Sequence, residues 1–288
     1  VLVLAVCGGG VGLVWYLLQP HAFPEQTQDY ADARKSFRTS LLRRGPSPQD
    51  AGEDREEPPP GVREVPFRSG GLMLRAWVNE APAGAARPGV LFLHGGFAFG
   101  EDDWDQCQPF RDAGFVTLVP TLRGENGLPG DYTMFYDEVD DVLAAAEVLA
   151  RTSGVDPNRI FVAGHSVGGT LTLLAALTSR RFKAAASFSG SPDQVAWARF
   201  QEELVPFNPE DPREFEMRSP LAFYRSFKCP TRLFYGTGEP LFSSASEKLA
   251  AKASAVGLDV KAVAVPGDHM SSVLPAMRQA VAFFRHVR

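Results

Sequence analysis

Ile160-Phe161-Val162-Ala163-Gly164-His165-Ser166-Val167-Gly168-Gly169-Thr170-Leu171-Thr172-Leu173-Leu174 is the stretch that decides how this chain folds. Its first four residues are apolar without a break, as in a strand covered on both faces. Residues 171–176 are good helix formers. Between the two there is room for one sharp turn, flanked by Gly164 and Gly168 because Cβ atoms there would collide. Such a turn lifts the Ser166 hydroxyl above the strand end, and the helix behind it offers N–H groups without intrahelical partners. A G-x-S-x-G pentapeptide is common by chance. Seated between a strand and a helix, it marks an exposed nucleophile rather than a glycine-rich packing turn.

Working outward, strands are expected at 64–68, 72–79, 90–94, 116–120, 160–163, 184–189, 231–235 and 260–265. Helices are expected at 104–113, 135–152, 167–179, 246–256 and 271–286. This alternation predicts an α/β fold: a mostly parallel eight-stranded sheet with helices on both faces. The first two strands, separated by Ser69-Gly70-Gly71, read as an antiparallel hairpin at the edge. Between the sixth and seventh strands lies an insertion of about 191–227, read as a small cap. Its aromatics, Trp197, Phe200, Phe207, Phe215, Phe223 and Tyr224, either form an apolar pocket over Ser166 or pack the cap onto the domain.

Ahead of this domain (61–288) the composition changes. Residues 1–18 are almost all apolar, a length that spans a bilayer, and are read as a membrane anchor or signal segment. The expectation is therefore a protein anchored to a membrane by this segment, or exported, with a soluble catalytic domain. Gly8-Gly9-Gly10-Val11-Gly12 fails the spacing of a dinucleotide loop. Residues 19–60 read as a tether with a possible amphipathic helix over 29–44, ending in Pro58-Pro59-Pro60.

The chain has 288 residues and a formal charge of -5, and its basic pairs, Arg43-Arg44 and Arg180-Arg181, are too short to track a phosphate backbone. No nucleic-acid partner is expected. Cys7, Cys107 and Cys229 form no CxxC pair, so neither a metal site nor a disulfide scaffold is indicated, and no cofactor is implied. Oligomeric state leaves no trace in the sequence.

A serine hydroxyl needs a base. Of the five histidines, His21 lies in the tether, His94 ends a strand ahead of a glycine pair, His165 abuts the nucleophile and His286 sits in the last helix. His269 remains, in a loop at the sheet edge where Ser166 also emerges. The base in turn needs a carboxylate to set its tautomer. Glu239, in the loop after strand 231–235, is the first candidate, and Asp193, after the preceding strand, is the alternative. Oxyanion donors are expected from the N–H of Val167 and from the His94-Gly95-Gly96-Phe97 loop, where Gly96 and Phe97 both qualify.

With these pieces in order, the chain from about 61 to 288 resembles the catalytic domain of the prolyl oligopeptidase family and the related dienelactone-hydrolase-like esterases. The resemblance rests on His94-Gly95-Gly96, Arg123-Gly124-Glu125-Asn126-Gly127, Val155-Asp156-Pro157-Asn158-Arg159-Ile160 and the Ser166 turn. It continues through Arg218-Ser219-Pro220, Gly236-Thr237-Gly238-Glu239 and Gly267-Asp268-His269. It implies the α/β-hydrolase fold and a triad of Ser166, Glu239 and His269, with Glu239 standing where the family usually has Asp. Residues 1–60 are too few for a propeller domain of the kind many family peptidases carry. The expected function is a serine hydrolase acting on a small ester or a short peptide. A prolyl-oligopeptidase-like peptidase is the first reading and a carboxylesterase the alternative. A non-catalytic binding protein on the same fold is the reading from another class.

Overall fold

The computed structural model describes residues 19–48, 56–81 and 84–287. The strands are β1 (Val62–Ser69), β2 (Leu72–Asn79), β3 (Arg87–Leu93), β4 (Val116–Thr121), β5 (Val155–His165), β6 (Ala185–Phe188), β7 (Thr231–Gly236) and β8 (Val260–Val265). They form one 8-stranded sheet in the order β1-β2-β4-β3-β5-β6-β7-β8. β2 pairs antiparallel with β1 and β4, and the remaining pairs are parallel. The helices are α1 (Tyr30–Ser36), α2 (Glu101–Gln106), α3 (Gln108–Asp112), α4 (Glu138–Arg151), α5 (Val167–Thr178), α6 (Gln194–Ala198), α7 (Pro212–Glu216), α8 (Pro240–Ala255) and α9 (Val273–His286). This is the α/β-hydrolase fold with a cap insertion, as expected from the alternation.

The continuously apolar strands divide their side chains between two cores. Leu91, Leu93, Ile160 and Val162 face a layer containing Val142 and Leu149 of α4 and Leu173 and Leu174 of α5. Val90, Phe92, Phe161 and Ala163 face the other, with Phe110 of α3 and Met277 and Phe284 of α9. The rings of Phe161 and Phe284 stack with centroids 4.6 Å apart. Each side chain of this size buried between sheet and helix stabilises the fold by roughly 1.5–3 kcal/mol.

Some boundaries move for local reasons. The expected helix 104–113 is two short helices, α2 and α3, meeting at Cys107 ahead of Pro109, which lacks the N–H that a continuous helix needs there. α8 begins at Pro240, well before the expected 246, because proline at the first helical position costs no hydrogen bond. Glu239 is thereby the residue that leads into α8.

The stretch 19–48 lies against the domain. Only α1 of the possible helix 29–44 forms, capped by the Asp29 carboxylate on the Ala31 N–H. Tyr30 is fully buried, its hydroxyl donating to the Met217 carbonyl at 2.7 Å. Further on, Thr39 Oγ1 and the Ser40 N–H both donate to Glu214, and Leu41 pairs with Phe207 of the cap. The segment is a strap between the cap and the body, held by contacts no local periodicity announces.

The expected membrane association and anchored localisation are corrected. Among the described residues no helix is long and apolar enough to cross a membrane. α8 has 16 residues, whereas a span takes about 20 predominantly apolar ones. Residues 1–18, on which the anchor was placed, lie outside the described residues.

Candidate active site

β5 delivers Ser166. The residue has φ 53° and ψ -113° and leads directly into α5, a strained conformation costing on the order of 1–3 kcal/mol that the surroundings hold in place. The two flanking glycines show how. A Cβ on Gly164 would meet the Gly168 carbonyl oxygen at 2.4 Å, and one on Gly168 would meet the Leu93 oxygen at 2.1 Å. The Ser166 N–H donates to the Phe188 carbonyl at 2.8 Å, tying the turn to β6.

Above it, Ser166 Oγ lies 3.0 Å from Nε2 of His269, whose Nδ1 lies 2.5 Å from Oε1 of Glu239. The other oxygen, Oε2, accepts from Ser189 Oγ at 2.6 Å and from the Gly236 N–H at 2.7 Å. Burial pushes the Glu239 carboxyl up, but the hydrogen bonds from His269, Ser189 and Gly236 outweigh it and hold the pKa below the usual value. A carboxylate is thus fixed on three sides behind an imidazole that reaches a hydroxyl. Such a chain lets the hydroxyl pass its proton to the ring while the carboxylate supports the developing charge. Phe242 packs on one side of the His269 ring at 5.3 Å and His165 on another at 4.8 Å.

Asp193 stands elsewhere. It is fully buried, its Oδ1 capping α6 through the N–H groups of Val195 and Ala196 and its Oδ2 accepting from the His21 N–H. Ser189 escaped the sequence reading, although its place just past β6 puts it at the same sheet edge as Glu239.

The loop after β3 runs beside the turn. The Gly168 N–H donates to the His94 carbonyl at 3.0 Å, and a Cβ on Gly95 would come within 3.7 Å of Ser166 Cβ. His94 is buried with its Nε2 3.0 Å from Glu125 Oε2 and its Nδ1 3.0 Å from the Gly95 carbonyl. Burial opposes its protonation, but Glu125 more than offsets this and raises the pKa to about 9. The ring is therefore an imidazolium at neutral pH and donates through both nitrogens. Because a trans peptide is planar, a Gly95 carbonyl held by His94 turns the Gly96 N–H the opposite way, off His94. On the far side, Ser47 Oγ of the strap donates to the Phe97 carbonyl. Phe97, partly exposed, lays its ring 5.4 Å from Tyr132 and 6.4 Å from Phe135.

Within the cap, Phe207, Phe215, Phe223 and Tyr224 are buried and pack it onto the domain, whereas Phe200 is exposed. Trp197 is half-buried, its ring 5.8 Å from Phe135. Among the described residues no group of three or more His, Cys, Asp or Glu stands together as a metal site. Cys107 and Cys229 are free thiols.

Known proteins match this chain in sequence and in fold. The uncharacterized peptidase YtmA of Bacillus subtilis is 24% identical over 180 residues, 59% of this chain and 70% of that protein. The acylaminoacyl peptidase of Pyrococcus horikoshii superposes with a TM-score of 0.66 at 22% identity, covering 78% of this chain. The match takes in 41% of that peptidase, so this chain spans less than half its length. A hyperthermophilic esterase from Pyrobaculum calidifontis superposes with a TM-score of 0.64 at 20% identity, over 81% of this chain and 88% of the esterase. At such identities the solved structures speak for the fold. The sequence matches support a serine-hydrolase-type enzyme over a non-catalytic binding protein. The family model for the prolyl oligopeptidase family matches residues 102–279, more than half of the 288 residues, and the chain belongs to that family.

Proposed function

We propose that this chain cleaves an ester or a peptide or amide bond by acyl transfer to water. Ser166 Oγ attacks the carbonyl carbon as His269 Nε2 takes its proton. Glu239 holds the ring by Nδ1 and stabilises the imidazolium that forms. The N–H of Val167, at the first position of α5, and that of Gly96 or Phe97 receive the oxyanion. His269 then protonates the leaving alcohol or amine. Water, deprotonated by the same imidazole, attacks the acyl-enzyme to release the acid and restore Ser166.

The observation that carries this reading is the unbroken hydrogen-bonded series from Ser166 through His269 to Glu239, at 3.0 and 2.5 Å. The first reading of the substrate is a short peptide, supported by family membership and by the name of the Bacillus subtilis relative. The esterase reading draws support from the fold shared with the archaeal esterase. Half-buried Phe97, Val167 and Trp197 favour a substrate with an apolar group. A fluorophosphonate probe tests the core of the reading: wild-type protein is expected to be labelled at Ser166, and a folded sample left unlabelled there refutes it. Parallel turnover of short acyl esters and peptidyl amides then separates the substrates, since amide cleavage identifies the peptidase and ester-only turnover the esterase.

A further inference from the structure

His165 precedes the proposed nucleophile and, by the elimination above, has no part in the chemistry. Yet its ring is buried, with 3% of the residue exposed, at the junction of three loops. It closes β5 at the turn that carries Ser166. Its Nδ1 lies 3.1 Å from where a Cβ on Gly95 would stand, so it floors the loop assigned to the oxyanion. Its Nε2 lies 3.0 Å from the backbone carbonyl of His269.

That last contact fixes the chemistry of the ring. A carbonyl only accepts, so Nε2 must carry the proton. Burial and the neighbouring His269 lower the His165 pKa to about 4, which keeps the ring neutral beside an imidazole that must become charged. The base itself is loosely covered, its side chain 36% exposed on a loop between β8 and α9. Glu239 orients the His269 ring, and the His165 bond ties down the backbone on which that ring is mounted.

The geometry points to His165 as a positioning residue, whose Nε2–H bond to the His269 carbonyl sets the base in line with Ser166. This inference rests on the reading of Ser166 and His269 as nucleophile and base. Removing the bond lets the base loop drift, and a displacement of about 1 Å costs on the order of a hundredfold in rate.

The test begins with fluorophosphonate labelling of the wild type. If Ser166 is not labelled, the hydrolase reading itself fails, and the role of His165 falls with it. With wild-type labelling established, His165→Leu is expected to lower kcat and the labelling rate by about 10- to 100-fold with little change in KM. His165→Gln, which offers an amide N–H near the position of Nε2, is expected to recover most of the loss. Labelling of the Leu variant at the wild-type rate, or a Gln variant no faster than Leu when both melt near the wild type, overturns the inference. Nitrogen-15 NMR of histidine-labelled wild type provides a check independent of any variant's folding. At pH 6 His165 must be neutral and protonated on Nε2, and a ring protonated on Nδ1 alone, or on both nitrogens, overturns it equally.

Discussion

Replacing Glu239 with Gln exchanges one carboxylate oxygen for an NH2 group and leaves the shape of the side chain intact. The consequence follows from what surrounds it. Oε2 accepts from the Gly236 backbone N–H, a group that can only donate. The amide oxygen of the Gln must therefore take that place, which turns its NH2 group toward Nδ1 of His269. Facing a donor, Nδ1 gives up its proton and Nε2 acquires one. The nitrogen 3.0 Å from Ser166 Oγ then has no free lone pair to receive a proton. A triad histidine held in the wrong tautomer loses about 10⁴ in kcat, equivalent to roughly 5 kcal/mol of transition-state stabilisation. Glu239→Asp should fall less. Its side chain is shorter by one C–C bond, about 1.5 Å, so a carboxylate that keeps Ser189 and Gly236 draws back from Nδ1 but still selects the correct tautomer. The assay is steady-state hydrolysis of a short acyl ester, reporting kcat and KM separately, with thermal melting to establish folding. Asp193→Asn is the companion, expected to keep turnover because Asp193 caps α6 and does not meet His269. A folded Gln variant with kcat within about tenfold of the wild type refutes the tautomer argument.

Other expectations concern the supports of the site. The folded pKa of His94, about 9, exceeds its ordinary 6.5, so its contribution is fully present below pH 6.5 and is lost as pH rises through 9. Denaturant titrations at pH 6 and pH 9.5 should differ by up to about 3 kcal/mol on this account, and Glu125→Gln should remove most of the difference. An equal pH dependence in that variant would deny the pair its role. Gly168→Ala forces a Cβ to within 2.1 Å of the Leu93 oxygen, and a loss of more than about 3 kcal/mol in chemical denaturation is expected. Tyr30→Ala empties a fully buried site under the strap and should cost about 3–5 kcal/mol. A midpoint unchanged from the wild type would mean that the strap adds nothing to the fold.

What could be read in the chain without its folded form is what local pattern encodes. Apolar runs such as Val90-Leu91-Phe92-Leu93 announce strands covered on both faces, and their alternation with helices dictates a parallel sheet. The glycines around Ser166 betray a turn too tight for Cβ atoms, and the proposed base emerged because the other histidines occupy unsuitable elements. Residues 19–48 carry only a helical period over 29–44, of which Tyr30–Ser36 alone forms. Tyr30, Thr39 and Ser47 find their partners at Met217, Glu214 and Phe97, and hydrogen bonds between segments so far apart leave no mark on neighbouring residues.

The same limit explains the details of the site. Glu239 and Asp193 both follow strands at one edge of the sheet, and position ranks Glu239 first without excluding Asp193. They part because Ser189 and the Gly236 N–H surround Glu239, whereas the N–H groups opening α6 hold Asp193. His94 and His165 are each a single histidine in the sequence. Glu125 favours the imidazolium of one against its burial, whereas burial and the neighbouring His269 keep the other a neutral ring under the His269 carbonyl. Sequence alone determined which elements form and which residue types they bring to the sheet edge, because strand and helix periodicity are local. The charge each group carries, and the neighbour it serves, were decided by tertiary structure, because both depend on desolvation and on donors supplied from distant loops.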